Sequence, residues 1–278
     1  MKILGDYHTH TKFSDGRATV LEMARAAKEK GLVEIAVTDH GFGMIVGGLR
    51  KRKVDNLRGE IQSAVAELPV LVGIEANLVN CRGDTCLDPE SAKNFDIVIF
   101  GIHLRVLYGF RAFFSFLLPN LLCMATRYTP KWRIRANTQI VKRVIENNRV
   151  DIWAHPGKFF KVDVVEIAKT CAERGTLIEL NGKRISFRPI DYELMAKAGA
   201  KFIINSDAHS TRRVGDTARV EEFLKYCDYN PADIINLTQT YTEYKKSAKG
   251  ENTDDGNIQP NQDQTADKGK RSWFRRWF

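Results

Sequence analysis

Seven short apolar runs recur along this chain, with helix-length segments between most of them. They are KILGDY (2–7), EIAVT (34–38), PVLVGIEA (69–76), FDIVIFG (95–101), VDIWA (150–154), GTLIEL (175–180) and AKFIINS (200–206). Strand, helix, strand, repeated in this way, reads as one parallel sheet. The segments ATVLEMARAAKEKG (18–31), VDVVEIAKTCAERG (162–175) and ELMAKAGA (193–200) carry apolar residues at helical spacing and run into a glycine that stops them. Seven repeats favour a closed barrel over an open sheet. An open doubly wound sheet is the alternative. It predicts a glycine-rich phosphate loop after the first strand, and neither GxGxxG nor GxxxxGK[ST] stands there.

Two segments break the rhythm. The first, residues 104–136, is aromatic, aliphatic and cationic, with no acidic residue. Arg111 and Pro119 interrupt its apolar run, which argues against a transmembrane span and for a helical insertion at the exit of the fourth strand. The second begins at about Lys245, where the chain turns polar and rich in Asn, Gln and Asp before ending in KGKRSWFRRWF. The expected organisation is therefore one domain over 1–244 and a disordered tail over 245–278. A net charge of +9 suggests an anionic partner: a phosphate ester, nucleic acid or a lipid surface. Five cysteines without paired spacing, and an N-terminus with no apolar stretch long enough for a signal peptide, point to reduced thiols in the cytoplasm. A zinc site at Cys81 and Cys86 would need two further ligands nearby.

The histidines are placed with unusual economy. All six lie at or just after the end of an expected strand: His8 and His10 after the first, His40 after the second, His103 after the fourth, His155 after the fifth and His209 after the seventh. Carboxylates accompany them at Asp39, Glu75 and Asp207. A single histidine after an apolar run is ordinarily a buried, hydrogen-bonded residue; six of six form a constellation. In a parallel barrel the C-terminal strand ends share one mouth, so these side chains would meet. Residues i and i+2 of a strand point to the same side, so His8 and His10 can bind one metal. Carboxylate beside imidazole suits divalent zinc, manganese or iron. Glu75 can bridge two ions through its two oxygens, and ions roughly 3.5–4 Å apart can activate water and clamp a displacement.

With those residues in view, DYHTHTKFSDG (6–16), VTDHG (37–41), GIEAN (73–77), GIH (101–103), AHPG (154–157) and NSDAHS (205–210) resemble the motif series of the polymerase and histidinol phosphatase (PHP) superfamily. Order and spacing match from residue 6 to about 215. The likeness is to the stand-alone bacterial phosphatase branch, where IEAN, ANTQ (136–139) and the HPG turn recur, more than to the domains embedded in DNA polymerases. The resemblance implies a distorted (β/α)7 barrel with a trinuclear metal centre at the C-terminal strand ends. It implies that His8, His10, Glu75 and Asp207 hold the first ion and are central to catalysis. Glu75, His103 and His155 would hold the second, and Asp15, His40 and His209 the third. Asp39 would orient a ligating imidazole, and Asp6 would either do the same or make a structural hydrogen bond.

The implied activity is hydrolysis of phosphomonoesters, histidinol-phosphatase-like, through a metal-activated hydroxide. Arg184 and Arg212, just beyond the sixth and seventh strands, are the expected phosphate contacts, with Lys158 and Arg105 behind them. Three roles stay open for the 104–136 insertion: a lid over substrate, surface helices on the barrel, or, together with WFRRWF, an anchor on anionic lipid. The competing function is a nuclease or DNA-repair phosphoesterase. It ranks second because the basic charge gathers in the apolar insertion and the tail rather than along a groove. A scaffold role is disfavoured by the complete ligand set.

Overall fold

The computed structural model describes residues 1–250. Seven strands lie side by side in chain order: β1 (Gly5–Asp6), β2 (Glu34–Val37), β3 (Val70–Asn77), β4 (Ile97–Gly101), β5 (Ile152–Trp153), β6 (Leu177–Asn181) and β7 (Phe202–Asn205). Every neighbouring pair is parallel. Each expected strand forms, although β1 and β5 shrink to two residues. β1 pairs with β2 only over Gly5–Glu34 and Asp6–Ile35, after which side chains take over its hydrogen bonding.

The seam between β7 and β1 shows how. Asn236 donates to the carbonyls of Gly5 (2.8 Å) and Ile204 (2.6 Å) and accepts from the Ile204 amide at 3.0 Å. Tyr7 N donates to Asn205 Oδ1 at 3.0 Å, and a parallel bridge joins Thr9 to Ala208. Strand edges leave backbone groups that need partners. An asparagine amide offers both a donor and an acceptor, and here it nearly closes the barrel.

Helices clothe the sheet: α1 (Val20–Glu29), α2 (Val54–Ala64), α3 (Pro89–Ala92), α4 (Phe110–Ala112), α5 (Leu118–Thr126), α6 (Lys131–Asn147), α7 (Val164–Arg174), α8 (Pro189–Lys197), α9 (Ala218–Leu224) and α10 (Tyr241–Ala248). The local signals are plain in α1. Thr19 and Glu22 form a capping box at its start, Val20, Met23, Ala24, Ala26 and Ala27 face the core, and Gly31 turns the chain at φ +75°. The insertion is helical, α4 and α5 being joined by a π turn over Phe113–Leu117. Residues 131–136 belong instead to the start of α6, the crossover from β4 to β5, and the buried amides of Asn120 and Asn137 exchange hydrogen bonds (2.8 and 3.0 Å) that staple α5 to α6. Among the described residues no helix is long and apolar enough to cross a membrane.

The expected boundary after Tyr244 falls inside α10. Lys245 Nζ pairs with Asp151 Oδ1 at 2.8 Å, and Tyr241 N donates to Tyr7 Oη at 2.8 Å, so this helix closes the N-terminal end of the barrel. The remainder of the expected tail, residues 251–278 with WFRRWF, lies outside the described residues.

Depth along the barrel follows the period of two. The inward face reads Ile97–Ile99–Gly101 on β4, Leu177–Glu179–Asn181 on β6, and Ile203–Asn205 on β7, followed by Asp207. Ile97, Ile99, Ile152, Leu177 and Ile203 pack with Tyr7 and Tyr241 into an apolar floor. The next positions toward the C-terminal ends include Glu179 on β6 and Asn205 on β7. A site is built on that floor.

Candidate metal centre

All six histidines and the carboxylates Asp15, Glu75 and Asp207 meet at the C-terminal end of the barrel. Glu75, fully buried on β3, divides the cluster. Its Oε1 stands 2.9 Å from His155 Nε2 and 3.5 Å from His103 Nε2. Its Oε2 faces His40 Nδ1 (2.7 Å), His8 Nε2 (3.5 Å) and His10 Nε2 (3.7 Å). Asp207 Oδ1 lies 3.6 Å from His10 Nε2 and 3.4 Å from His209 Nδ1. Asp15 completes the outer edge, 3.3 Å from His209 Nε2 and 3.5 Å from His40 Nε2. The cluster reaches solvent there, since the Asp15 side chain is 43% exposed while His8, His10 and Glu75 are sealed.

Four groupings could each hold one ion: His8–His10–Asp207, His8–Glu75–His155, His40–Glu75–His103, and His10–Asp15–His40–His209. The donor chemistry fits a cation. His8 Nε2, both nitrogens of His10 and Glu75 Oε2 are buried without a hydrogen-bond partner. Leaving such atoms unsatisfied is costly. Six of the separations, 3.3–3.7 Å, are too long for good hydrogen bonds. They match two ligands of one ion, because donors about 2.0–2.1 Å from a tetrahedral zinc stand about 3.4 Å apart.

The imidazoles are also pre-set. Nδ1 of His8 donates to Glu179 (2.7 Å), Nδ1 of His103 to Asn77 Oδ1 (2.5 Å) and Nδ1 of His209 to the Asp207 carbonyl (3.0 Å). Each bond leaves the Nε2 lone pair directed inward. Burial opposes charge across the cluster. On His8 the Glu179 and Glu75 carboxylates overcome it and hold the pKa well above the imidazole norm. On His40 Glu75 and Asp15 do likewise, to about 9. His10, buried beside His40, falls to about 3, and burial drives His103 well down. Burial of Glu75 is outweighed by His103, His8 and His40, which keep its carboxyl well below the usual range.

Backbone strain marks the same place. His155 (φ +31°) and Asp207 (φ +52°) occupy the left-handed region that side chains avoid. His155 is held there by its own amide, which donates to Glu179 Oε2 at 2.7 Å.

Glu179 was not among the sequence candidates. It also accepts from Asn181 Nδ2 (2.8 Å) and Asn205 Nδ2 (3.0 Å), so one buried carboxylate fixes His8, His155 and the β6–β7 rim. Glu179→Gln puts an amide NH2 against one of these donors. Metal affinity should fall by roughly 10- to 100-fold, read by titration of the metal-free protein. A change under about twofold would show that the asparagines suffice.

Asp39 departs from expectation. It accepts from Thr11 N (2.7 Å), Thr11 Oγ1 (2.6 Å) and Ser14 Oγ, and orients no imidazole. Adjacent residues of an extended chain point to opposite sides, so Asp39 faces away from His40 and instead pins the turn between His10 and Asp15. Asp6 is structural: it accepts from Ser206 N (3.1 Å), Ser206 Oγ (2.5 Å) and Gly215 N (2.8 Å).

The expected arginines do not reach the cluster in this structure. Arg184 is exposed and makes no ion pair among the described residues, and Arg212 is exposed with its carbonyl bound by Lys30. Arg105 is likewise exposed, its carbonyl accepting from Ile45 N. Two ammonium groups do reach it. Lys158 Nζ lies 3.7 Å from Asp207 Oδ2, and Lys183 Nζ 3.6 Å from Asp207 Oδ1. Lys183 was not foreseen; nothing in sequence separates it from other lysines after strands.

A parallel seven-stranded barrel whose strand ends gather imidazoles around one carboxylate defines a recognisable class of protein. The chain belongs to the PHP domain family, whose model matches residues 6–183. A protein of Acetivibrio thermocellus named a probable phosphatase is 30% identical over 261 residues, which is 90% of this chain and 98% of that one. A probable phosphatase of Thermoanaerobacter sp. is 33% identical over 236 residues, 81% of this chain and 85% of its own. Among solved structures, the histidinol phosphate phosphatase of Lactococcus lactis, in complex with zinc, L-histidinol and phosphate, is similar with a TM-score of 0.58 at 17% identity, over 81% of this chain and 94% of that one. The resemblance read from the motifs holds, and with it the (β/α)7 barrel.

Proposed function

We propose that this chain is a metal-dependent phosphomonoesterase, histidinol-phosphatase-like in its chemistry. The observation that carries the reading is the buried Glu75 carboxylate set among five imidazoles at distances suited to shared ions. Three divalent ions (zinc, manganese or iron) would be held by His8, His10, Glu75 and Asp207; by Glu75, His103 and His155; and by Asp15, His40 and His209. When bound, such ions supply a nucleophile from water at neutral pH and neutralise charge on a transferring phosphoryl group. The chain supplies position. Glu75 offers one oxygen to each side, Glu179 fixes His8, and the apolar floor keeps bulk water from below. Lys158 and Lys183 bring positive charge to the Asp207 edge, with Arg184 and Arg212 on the loops above. The names of the relatives support the reading.

One observation favours a longer polyanion, and hence a nuclease. A cleft of about 720 Å³ lined by Lys12, Arg50, Lys51, Arg52 and Lys53 runs beside Ser14 and Gly47, next to Asp15. Incubation with manganese separates the two. Phosphate should be released from p-nitrophenyl phosphate and histidinol phosphate, while end-labelled single-stranded DNA stays intact. DNA shortening without monoester turnover would install the second reading, and inertness toward both would remove the first.

A further inference from the structure

We propose that the face built from the 42–46 loop and the segment from Leu104 to Trp132 docks on an anionic lipid surface. Backbone bonds make these two stretches one surface. Ile45 N donates to the Arg105 carbonyl and Leu107 N to the Gly43 carbonyl, each at 2.9 Å, and Met44 bridges Val106. The face is contiguous with the rim of the metal centre, since Tyr108 Oη donates to the His103 carbonyl at 2.7 Å.

Several of its apolar side chains stand exposed. In the π turn Phe116 and Leu117 are buried, whereas Phe110 is 81% exposed and Phe114 52%. Ile45, Val46 and Leu107 are each more than 60% exposed. The rings of Phe110 and Phe114 lie 4.8 Å apart, and that of Phe113, itself exposed, lies 5.1 Å from Phe114. Arg133 bonds the Ser115 carbonyl (2.8 Å) and stacks 4.7 Å over Trp132, itself 63% exposed, which brings that indole beside the π turn. Contiguous exposed apolar surface of this kind marks an interaction site.

Charge selects the occupant. No Asp or Glu occurs from Ile97 to Ile145. Arg105, Arg111, Arg127, Lys131 and Arg135 are exposed and form no ion pair among the described residues. A second copy would bring the same positive charge to an isologous contact. Nucleic acid would use the arginines and stack on aromatic rings but has no use for Ile45, Val46 and Leu107. An anionic bilayer takes both, the aliphatic and aromatic groups entering the headgroup boundary while the cations meet lipid charge. Residues 268–278, KGKRSWFRRWF, repeat this composition.

Co-sedimentation of the full chain with vesicles tests the proposal without any measure of turnover, so its outcome is independent of the phosphatase reading. The chain should pellet with phosphatidylcholine–phosphatidylglycerol vesicles, poorly with pure phosphatidylcholine, and less as salt rises. The variant Phe110→Ser/Phe114→Ser/Trp132→Ser should lose at least about tenfold in partitioning while its circular dichroism and melting stay those of the parent. Arg111→Glu/Arg127→Glu should abolish the preference for anionic vesicles. Failure of the parent chain to bind either vesicle would overturn the proposal. So would binding untouched by both variants but lost on truncation at residue 250, which would assign it to the C-terminal segment alone. A dimer in light scattering, or a complex with single-stranded DNA, that the triple variant dissolves while vesicles stay unbound would overturn it in favour of that partner.

Discussion

Glu75→Gln will leave the barrel folded and lower phosphatase turnover on the order of a thousandfold, equivalent to about 4 kcal/mol in the barrier. The substitution keeps shape and removes charge. In the parent, Oε1 faces His103 and His155 while Oε2 faces His8, His10 and His40. A neutral amide turns an NH2 toward one of those groups and withdraws the anion that the two proposed ion positions would share. Metal content measured on the purified variant should fall with activity. Circular dichroism should not change, because β3 is laddered to β2 and β4 through its backbone. Glu75→Asp separates charge from reach: it keeps the anion but retracts it by one carbon–carbon bond, and should lose less metal than the glutamine variant. Parent-like activity in Glu75→Gln would end the bridging role and the reading built on it.

Most of this centre was legible because strand periodicity and barrel topology act together. Histidines placed after successive strands need only a parallel barrel to meet, and that inference requires no knowledge of any side-chain rotamer. The errors arose where topology is silent. The resemblance implies an imidazole partner for Asp39, whereas neighbours in an extended chain diverge and Asp39 bonds Thr11 and Ser14. Glu179 was passed over inside GTLIEL, yet its place was readable: an unpaired carboxylate cannot sit in a buried strand, so a glutamate two residues after Leu177 on the inward face implies partners in the site. The phosphate-side cations were not readable. Whether Lys183 or Arg184 turns inward depends on the loop that Asn181 Oδ1 closes by accepting from both of their amides, at 2.9 Å each.

The supporting shell carries a further lesson. His8, His103 and His209 each commit Nδ1 to a different partner: a carboxylate, an amide oxygen and a backbone carbonyl. These partners differ in charge, so equivalent imidazoles are not electrostatically equivalent. A carboxylate behind an imidazole strengthens it as a metal ligand, and of the three only His8 commits its Nδ1 to one.

Gly101→Ala will be damaging for a reason that hydrophobicity does not capture. Gly101 ends β4, paired with Asn77, and its absent side chain would point into the cluster. A Cβ there collides with Glu75 Oε1 and stands 2.9 Å from His103 Cε1 and 3.0 Å from His155 Cε1. Glycine is required by this close approach rather than by its dihedral angles. One methyl group in a filled interior costs about 1–3 kcal/mol, which lowers the melting temperature by roughly 2–12 °C in a domain of this size. Turnover should fall far more, by on the order of a hundredfold, because misplacing reacting groups by about 1 Å has that effect. Gly59→Ala is the matched control. Gly59 lies in the exposed middle of α2 with nothing within 4 Å of a built Cβ, and there alanine should stabilise by up to about 1 kcal/mol with activity unchanged. The same substitution thus carries opposite signs at two glycines. Parent-like activity in Gly101→Ala would show that Glu75, His103 and His155 are not held in the crowded arrangement on which the proposed shared ions depend.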